Sequence, residues 1–385
     1  MRLPSNFHRV LVLAVLLGSL ALPTAASSIA LAGPCVQGAV YDAACDVNHD
    51  GIIDVVDIQL TAGHWSQSGP YTADGWLLTG NTGTNPATNF LGTTDAQPLV
   101  LKVNNQPALR LEPTSGPNNS PNIIVGYPSN FVTAGAYAST ISGGGDNNPA
   151  GMNTVTDSYG TVGGGSGNRS GDGLGSTFDA TGATVAGGIE NTASASWAVV
   201  GGGQNNNASG QHAVVDGGLL NRATGDYSSV PGGQRARASH YGEMAYASGS
   251  FGVQGSAQAS SYVLRREIPS NAGNRELFLD GSDGSSERIT LAINRALAFD
   301  VLIVARSNTG ETSAWRVEGV VENSGGTTAL IGTPIKTTLG EDDVAWDVAV
   351  LADNANDALT VVGYSNQSGD TIRFVASVRT TEVAW

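Results

Sequence analysis

The sequence predicts an all-β chain: a parallel β-roll of 15-residue coils, followed by an antiparallel β-sandwich. Three observations carry this. Val185, Val200, Val215 and Val230 each stand 15 residues from the next, each just ahead of a glycine pair or triplet. Glycine supplies 52 of 385 residues, while charged residues supply only 13%, about half the usual share. After Ser260 the glycine pairs stop and longer alternating apolar runs begin.

The repeat has two elements at fixed phase. Ala-Val-Val-Gly-Gly-Gly at Ala198 aligns with copies opening at Ala183, Ala213 and Ser228. Upstream, Val162 and Ile141 continue it at longer spacings of 23 and 21, which imply short insertions, one around Ser170 to Ala180. The second element begins at Asn191, Asn206 and Asn221, and Ala236-Arg237-Ala238-Ser239 continues it without the asparagine. A period of 15 is too short for a helical hairpin or a propeller blade. It fits two strands of about four residues and two tight turns, so each repeat reads as one solenoid coil. The glycine pairs supply positive φ at one corner, and the asparagine element supplies the other. Inward positions are Ala, Val and Ser, so each coil is thin. Ordering costs about 1–2 kcal/mol of backbone entropy per residue, which so little apolar burial offsets poorly. Association of copies, most simply as a homotrimer, supplies the missing burial; a capped monomeric roll is the alternative.

The remaining segments follow from composition. Residues 1–32 read as a secretory signal: Arg2 and Arg9 precede an apolar run, Val10 to Leu22, too short to span a bilayer. Cleavage after Ala26 or after Ala32 fits equally, and the expected location is secreted, extracellular or at the cell surface. Residues 33–65 form a compact module and 66–134 a linker with a lead-in β segment. There, Leu99–Val103 and Ala108–Leu111 read as a hairpin around Asn104-Asn105-Gln106-Pro107. Residues 135–257 hold the roll and 258–385 the sandwich. Its strands are expected at 262–264, 276–279, 288–293, 297–305, 315–321, 328–331, 344–350, 359–362 and 372–378.

The sharpest chemical motif is Asp46-Val-Asn48-His-Asp50-Gly51-Ile52-Ile53-Asp54-Val-Val-Asp57. Calcium takes about six to eight oxygens. Asp46, Asn48 and Asp50 supply side-chain ligands, Ile52 its carbonyl, Asp54 a ligand through water, and Asp57 closes the shell. Cys35 and Cys45, the only cysteines, are expected to form a disulfide in an exported chain.

This loop resembles one EF-hand-like repeat of the type I dockerin calcium module, which implies bound Ca2+ and calcium-dependent folding. Dockerins carry two copies, and one is seen here. Their cohesin-contacting pair is normally two small hydroxyl residues; here it is Val55-Val56, which argues against a cohesin partner. The 15-residue repeat resembles the head repeats of trimeric autotransporter adhesins of the YadA type, over about residues 135–257. That resemblance implies a left-handed parallel β-roll assembled as a trimer. The stretch Thr79 to Asp95 resembles the lead-in of phage tail-fibre-like proteins.

The net charge of −15 excludes nucleic acid and argues against anionic membranes. No metal-binding His pair, Gly-x-Ser-x-Gly elbow, phosphate loop or CxxC occurs. Glu341-Asp342-Asp343 reads as a solvated turn, and Trp315 and Trp346 read as core aromatics. The expectation is therefore a calcium-stabilised surface fibre or adhesin without catalysis, with a surface or glycan as ligand. The alternative is a fibre-borne polysaccharide hydrolase or lyase, or its non-catalytic dockerin-bearing component. A hydrolase should show a cleft with two carboxylates about 5–10 Å apart; an adhesin should show none, only exposed aromatics or polar loops.

Overall fold

The computed structural model describes Ile52 and residues 80–114, 120–365 and 369–385. The signal segment, Cys35, Cys45, and Asp46, Asn48, Asp50, Asp54 and Asp57 lie outside the described residues; Ile52 alone of the calcium set is described, and it is exposed. Residues 80–89 belong to one unit, in which Asn89 N–H closes a turn onto the Asn85 carbonyl at 2.7 Å. Phe90–Trp385 is the second unit, and every strand lies in it. Among the described residues there is no helix.

The lead-in hairpin pairs Leu99–Val103 with Gln106–Glu112. Its turn is tighter than expected. Asn104 and Asn105 both take left-handed backbone, at φ 48° and 59°, the two-residue turn whose twist matches its strands. Gln106 and Pro107 therefore belong to the second strand. Pro107 faces Lys102 beside a register shift, where a missing N–H does little harm. Gln106–Glu112 then pairs antiparallel with Asn122–Val125, and Ile123 and Ile124 start the parallel ladder on Thr140 and Ile141.

The middle is a parallel β-solenoid. One ladder stacks Thr140–Ile141, Thr161–Val162, Thr184–Val185, Val199–Val200, Val214–Val215 and Ser229–Val230. The other runs from Phe131–Val132 through Thr192–Ala193 and Asn207–Ala208 to Arg237–Ala238. The valines 15 apart in sequence are register partners in space, Val200 opposite Val215 and Val215 opposite Val230. Each strand is two residues long, not four, because a coil turns more often than two corners require. In one coil Gly203, Asn205 and His212 all lie at positive φ.

The asparagines do not make a corner by left-handed backbone, as the sequence suggested. They are buried and form a ladder. Asn206 Nδ2 donates to the carbonyls of Gly202 and Gly218, both at 2.9 Å, and its Oδ1 accepts the Asn221 N–H at 2.9 Å. Asn153, Asn168, Asn191 and Asn221 repeat this pattern. Turn carbonyls that point inward are thus satisfied without water. Gly203 is required beside the ladder: it sits at φ 82°, and a Cβ there would meet the Gly218 carbonyl oxygen at 2.2 Å.

Met244–Ser248 joins the solenoid to the C-terminal sheets. Met244 pairs parallel with Ser229, and the same strand pairs antiparallel with Ala257–Ile268. From there one antiparallel sheet runs through Ile372–Ala384, Arg295–Ser307 and Thr312–Ser324. A second sheet combines Arg275–Leu277, Ile289–Thr290, Ala358–Tyr364 and Asp347–Asp353. Their shared core holds Trp315, Trp346, Phe374, Leu264, Ile303 and Leu359. The expected C-terminal strands are present, some shorter or longer than read. Ile335–Glu341 was missed: it pairs along Thr312–Ser324 with every residue exposed, so it has no in–out alternation to read.

Candidate active site at the end of the solenoid

The 15-residue register places Ala183, Ala198, Ala213 and Ser228 at one inward position, and the next residue in that column is Glu243. A carboxylate in an alanine column needs full hydrogen bonding to stay charged. Glu243 has it. Its Oε2 accepts the backbone N–H groups of Ser239 at 2.7 Å and His240 at 3.0 Å, and lies 2.8 Å from His240 Nδ1. Its Oε1 accepts from Ser260 Oγ at 2.8 Å and from the Tyr262 hydroxyl at 3.2 Å. Burial pushes the Glu243 carboxyl upward, but the His240 bond and charge, with Ser260, outweigh it and hold the group below its usual range. For His240, burial pulls downward, and the bond to Glu243 with the charges of Glu243 and Glu382 more than reverses it. The short Nδ1–Oε2 contact, with the two groups shifted in opposite directions, ties His240 and Glu243 into one pair. The outer nitrogen of the ring, Nε2, lies 3.1 Å from both the Thr290 carbonyl oxygen and the Thr290 backbone nitrogen.

A second carboxylate comes from the sandwich. Along Ile372–Ala384 the inward residues alternate, and the series Ile372, Phe374, Ala376, Val378, Thr380 ends on Glu382. Glu382 Oε1 accepts from Thr380 Oγ1 at 2.8 Å and lies 3.4 Å from the Tyr262 hydroxyl, whose single proton the two carboxylates share, and Oε2 pairs with Arg295 Nη1. Tyr262 thus stands between the two carboxylates, whose facing oxygens are no further apart than its two contacts laid end to end. Burial first, and then the charges of Glu243 and Glu382, push the phenol well above its ordinary value, so it remains a neutral donor.

These groups line a cavity of about 490 Å³. Leu291 and Leu297 form apolar wall, Arg237 and Arg295 supply cations, and Thr290, Gln258, Asn356 and Asp357 supply polar edges. The volume suits a small molecule or a short stretch of polymer. Two carboxylates at such separation are the minimum equipment for acid–base cleavage of a glycosidic bond.

Sequence reasoning named none of these residues as functional. The signal was present: Glu243 breaks the alanine column and Glu382 breaks the apolar face of a long strand. The residues it did discuss lie elsewhere. Trp315 and Trp346 are buried in the sandwich core. Glu341 ends the exposed strand Ile335–Glu341, and beyond it Asp342 accepts the Thr312 N–H and Asp343 the Ala345 N–H at the surface. The insertion near Ser170 brings one oxygen each of Asp157, Asp172 and Asp179 within 4.8 Å of one another. Burial raises the Asp157 carboxyl there, against the hydrogen bond from Thr156.

No family model matches the chain, and no curated protein matches it. Solved structures with some likeness are phage tailspikes. One is tailspike protein gp49 of Acinetobacter baumannii bacteriophage Fri1, described as a capsular polysaccharide depolymerase: 8% identity, TM-score 0.19, covering 71% of this chain and 51% of that one. Another is the tailspike of Acinetobacter phage vB_ApiP_P1: 8% identity, TM-score 0.17, covering 66% of this chain and 59% of that one. The chain thus spans between half and three fifths of these structures.

The expectation of a fibre without catalysis is corrected at this point. It required that no paired-carboxylate cleft exist, and the junction holds one in Glu243 and Glu382.

Proposed function

We propose that this chain is a fibrous, tail-fibre-like protein that binds a polysaccharide and cleaves it in the pocket between the last solenoid coil and the sandwich. The observation that supports this reading is the pair Glu243 and Glu382 facing one cavity across Tyr262. Glu243, the anion of the pair, gives up one of its donors to the attacking water and takes that water's proton as the water oxygen bonds the anomeric carbon. Glu382, once it has taken up a proton from solvent, gives it to the glycosidic oxygen, which leaves with the electron pair of the broken carbon–oxygen bond. The Tyr262 hydroxyl and Arg295 position Glu382. The proton returns from Glu243 to Glu382 through solvent, and the products are two shorter chains, one with a new reducing end.

The same reading takes the protein to be secreted, stabilised by calcium at Asp46–Asp57, and assembled as a homotrimer. The thin alanine–valine core of the solenoid supports assembly. The test is release of reducing ends from a panel of bacterial capsular polysaccharides, run with wild type, Glu243→Gln and Glu382→Gln. Release by wild type, with at least a hundredfold loss in both variants at unchanged circular dichroism, is expected. Equal release by all three proteins would overturn the pocket assignment.

A further inference from the structure

One corner of the solenoid carries rings that the fold does not require. Tyr159, Trp197, His212 and Tyr227 occupy the same coil position, at φ 57–62°. Gly182 and Gly242 take that position in two other coils, at φ 70° and 63°. A bulky residue in left-handed backbone is strained, and glycine does the same work without strain. The other left-handed corner shows that rings are not the default: it holds Glu190, Asn205, Leu220 and Arg235.

The rings are exposed and aligned. Trp197 lies flat on Gly182, where a Cβ would meet the indole at 2.5 Å, and the residue remains 53% exposed. His212 and Tyr227 stack at 5.1 Å with 10° between planes, and Tyr227 meets Tyr241 at 5.1 Å. At the ~4.8 Å spacing of neighbouring strands, Trp197 to Tyr241 spans about 14 Å along the axis. The ladder ends beside the pocket, because Tyr241 follows His240 in the chain and packs against the sandwich core.

We infer that this ladder is a polysaccharide track that leads a glycan chain into the junction pocket; the inference rests on the cleavage reading above. A sugar ring has an apolar C–H face and a hydroxyl edge. The ladder offers both partners, with half-exposed rings on the corner and the polar residues Ser196, Gln211 and Asp226 directly preceding Trp197, His212 and Tyr227. Nucleobases would stack on the same rings, but their phosphates meet a chain of net charge −15. A second protein copy would favour a continuous apolar patch, and here polar residues interrupt the rings.

The test uses the full-length chain and Trp197→Gly/Tyr227→Gly. Glycine suits the left-handed position and occurs naturally in this column, so the variant keeps its fold. The control is Asn205→Gly/Leu220→Gly at the ring-free corner. Affinity for the immobilised capsular polysaccharides that wild type binds is expected to fall at least tenfold in the first variant and to stay at the wild-type value in the second. Unchanged affinity in the first variant, equal loss in both, or no binding by wild type overturns the track. So does a fall in native mass of the first variant alone, which would make a second copy the occupant. Retained binding with cleavage that survives Glu382→Gln would sink the pocket reading and leave the track standing.

Discussion

Between Ala183 and Ala247 the apolar part of the solenoid core is alanine and valine only, whereas the sandwich core packs Trp315, Trp346 and Phe374. The two regions are held by different physics. The sandwich relies on buried volume: Trp315 and Phe374 stack at 6.5 Å inside a close-packed interior. The solenoid relies on satisfying inward-pointing backbone, through asparagines stacked one per coil. A region with little apolar area needs its polar groups answered one by one. The two strategies meet at Glu243, an alanine-column residue whose Oε1 partners, Ser260 and Tyr262, come from the sandwich.

Four substitutions sharpen that contrast, in falling order of expected effect. Trp315→Ala leaves a large cavity and should cost about 3–5 kcal/mol in denaturant unfolding of the sandwich. Asn206→Ala strips partners from the Gly202 and Gly218 carbonyls and the Asn221 N–H, and should cost about 3 kcal/mol although it removes almost no apolar area. Were its cost within the ~0.5 kcal/mol of a surface change, the polar-ladder account of the solenoid would fail.

His240→Gln should remove a pH dependence. The Glu243 pKa is depressed in the fold, so its contribution is present above the unfolded value near 4.5 and lost as pH falls through the folded one. The His240 pKa is raised, so its contribution is complete below about 6.5 and lost as pH rises through the folded value. The junction should therefore be most stable between about pH 4.5 and 6.5. A thermal-melting series should show the alkaline decline in wild type and lose it in the variant. Smallest of the four, Trp197→Gly relieves left-handed strain and should change stability by no more than about 1 kcal/mol, with either no loss or a slight gain.

Much of the fold was legible in the sequence because repetition exposes register. Valines 15 apart became cross-strand partners, and the alternating runs after Ser260 became strands. The asparagines were located but misread, since Asn is common both in turns and in buried ladders, and only three-dimensional register distinguishes them. Ile335–Glu341 was invisible because an edge strand exposed on both faces carries no alternation. The candidate site was missed for a different reason. Glu243 and Glu382 lie 139 residues apart in sequence and signal only by breaking a column and a face that must first be known to be inward. The ring ladder hid likewise, because Trp197, His212 and Tyr227 are chemically dissimilar until the 15-residue phase aligns them.

The central claim is that a polysaccharide is cleaved between Glu243 and Glu382. Its most direct test is a crystal structure of Glu243→Gln with an oligosaccharide prepared from a capsular polysaccharide that wild type degrades. The account predicts a glycosidic oxygen within hydrogen-bond distance of Glu382, with the anomeric carbon facing residue 243 and the sugar chain running back over Tyr241 and Tyr227. A glycan bound elsewhere on the fibre, with the junction pocket empty, would contradict it.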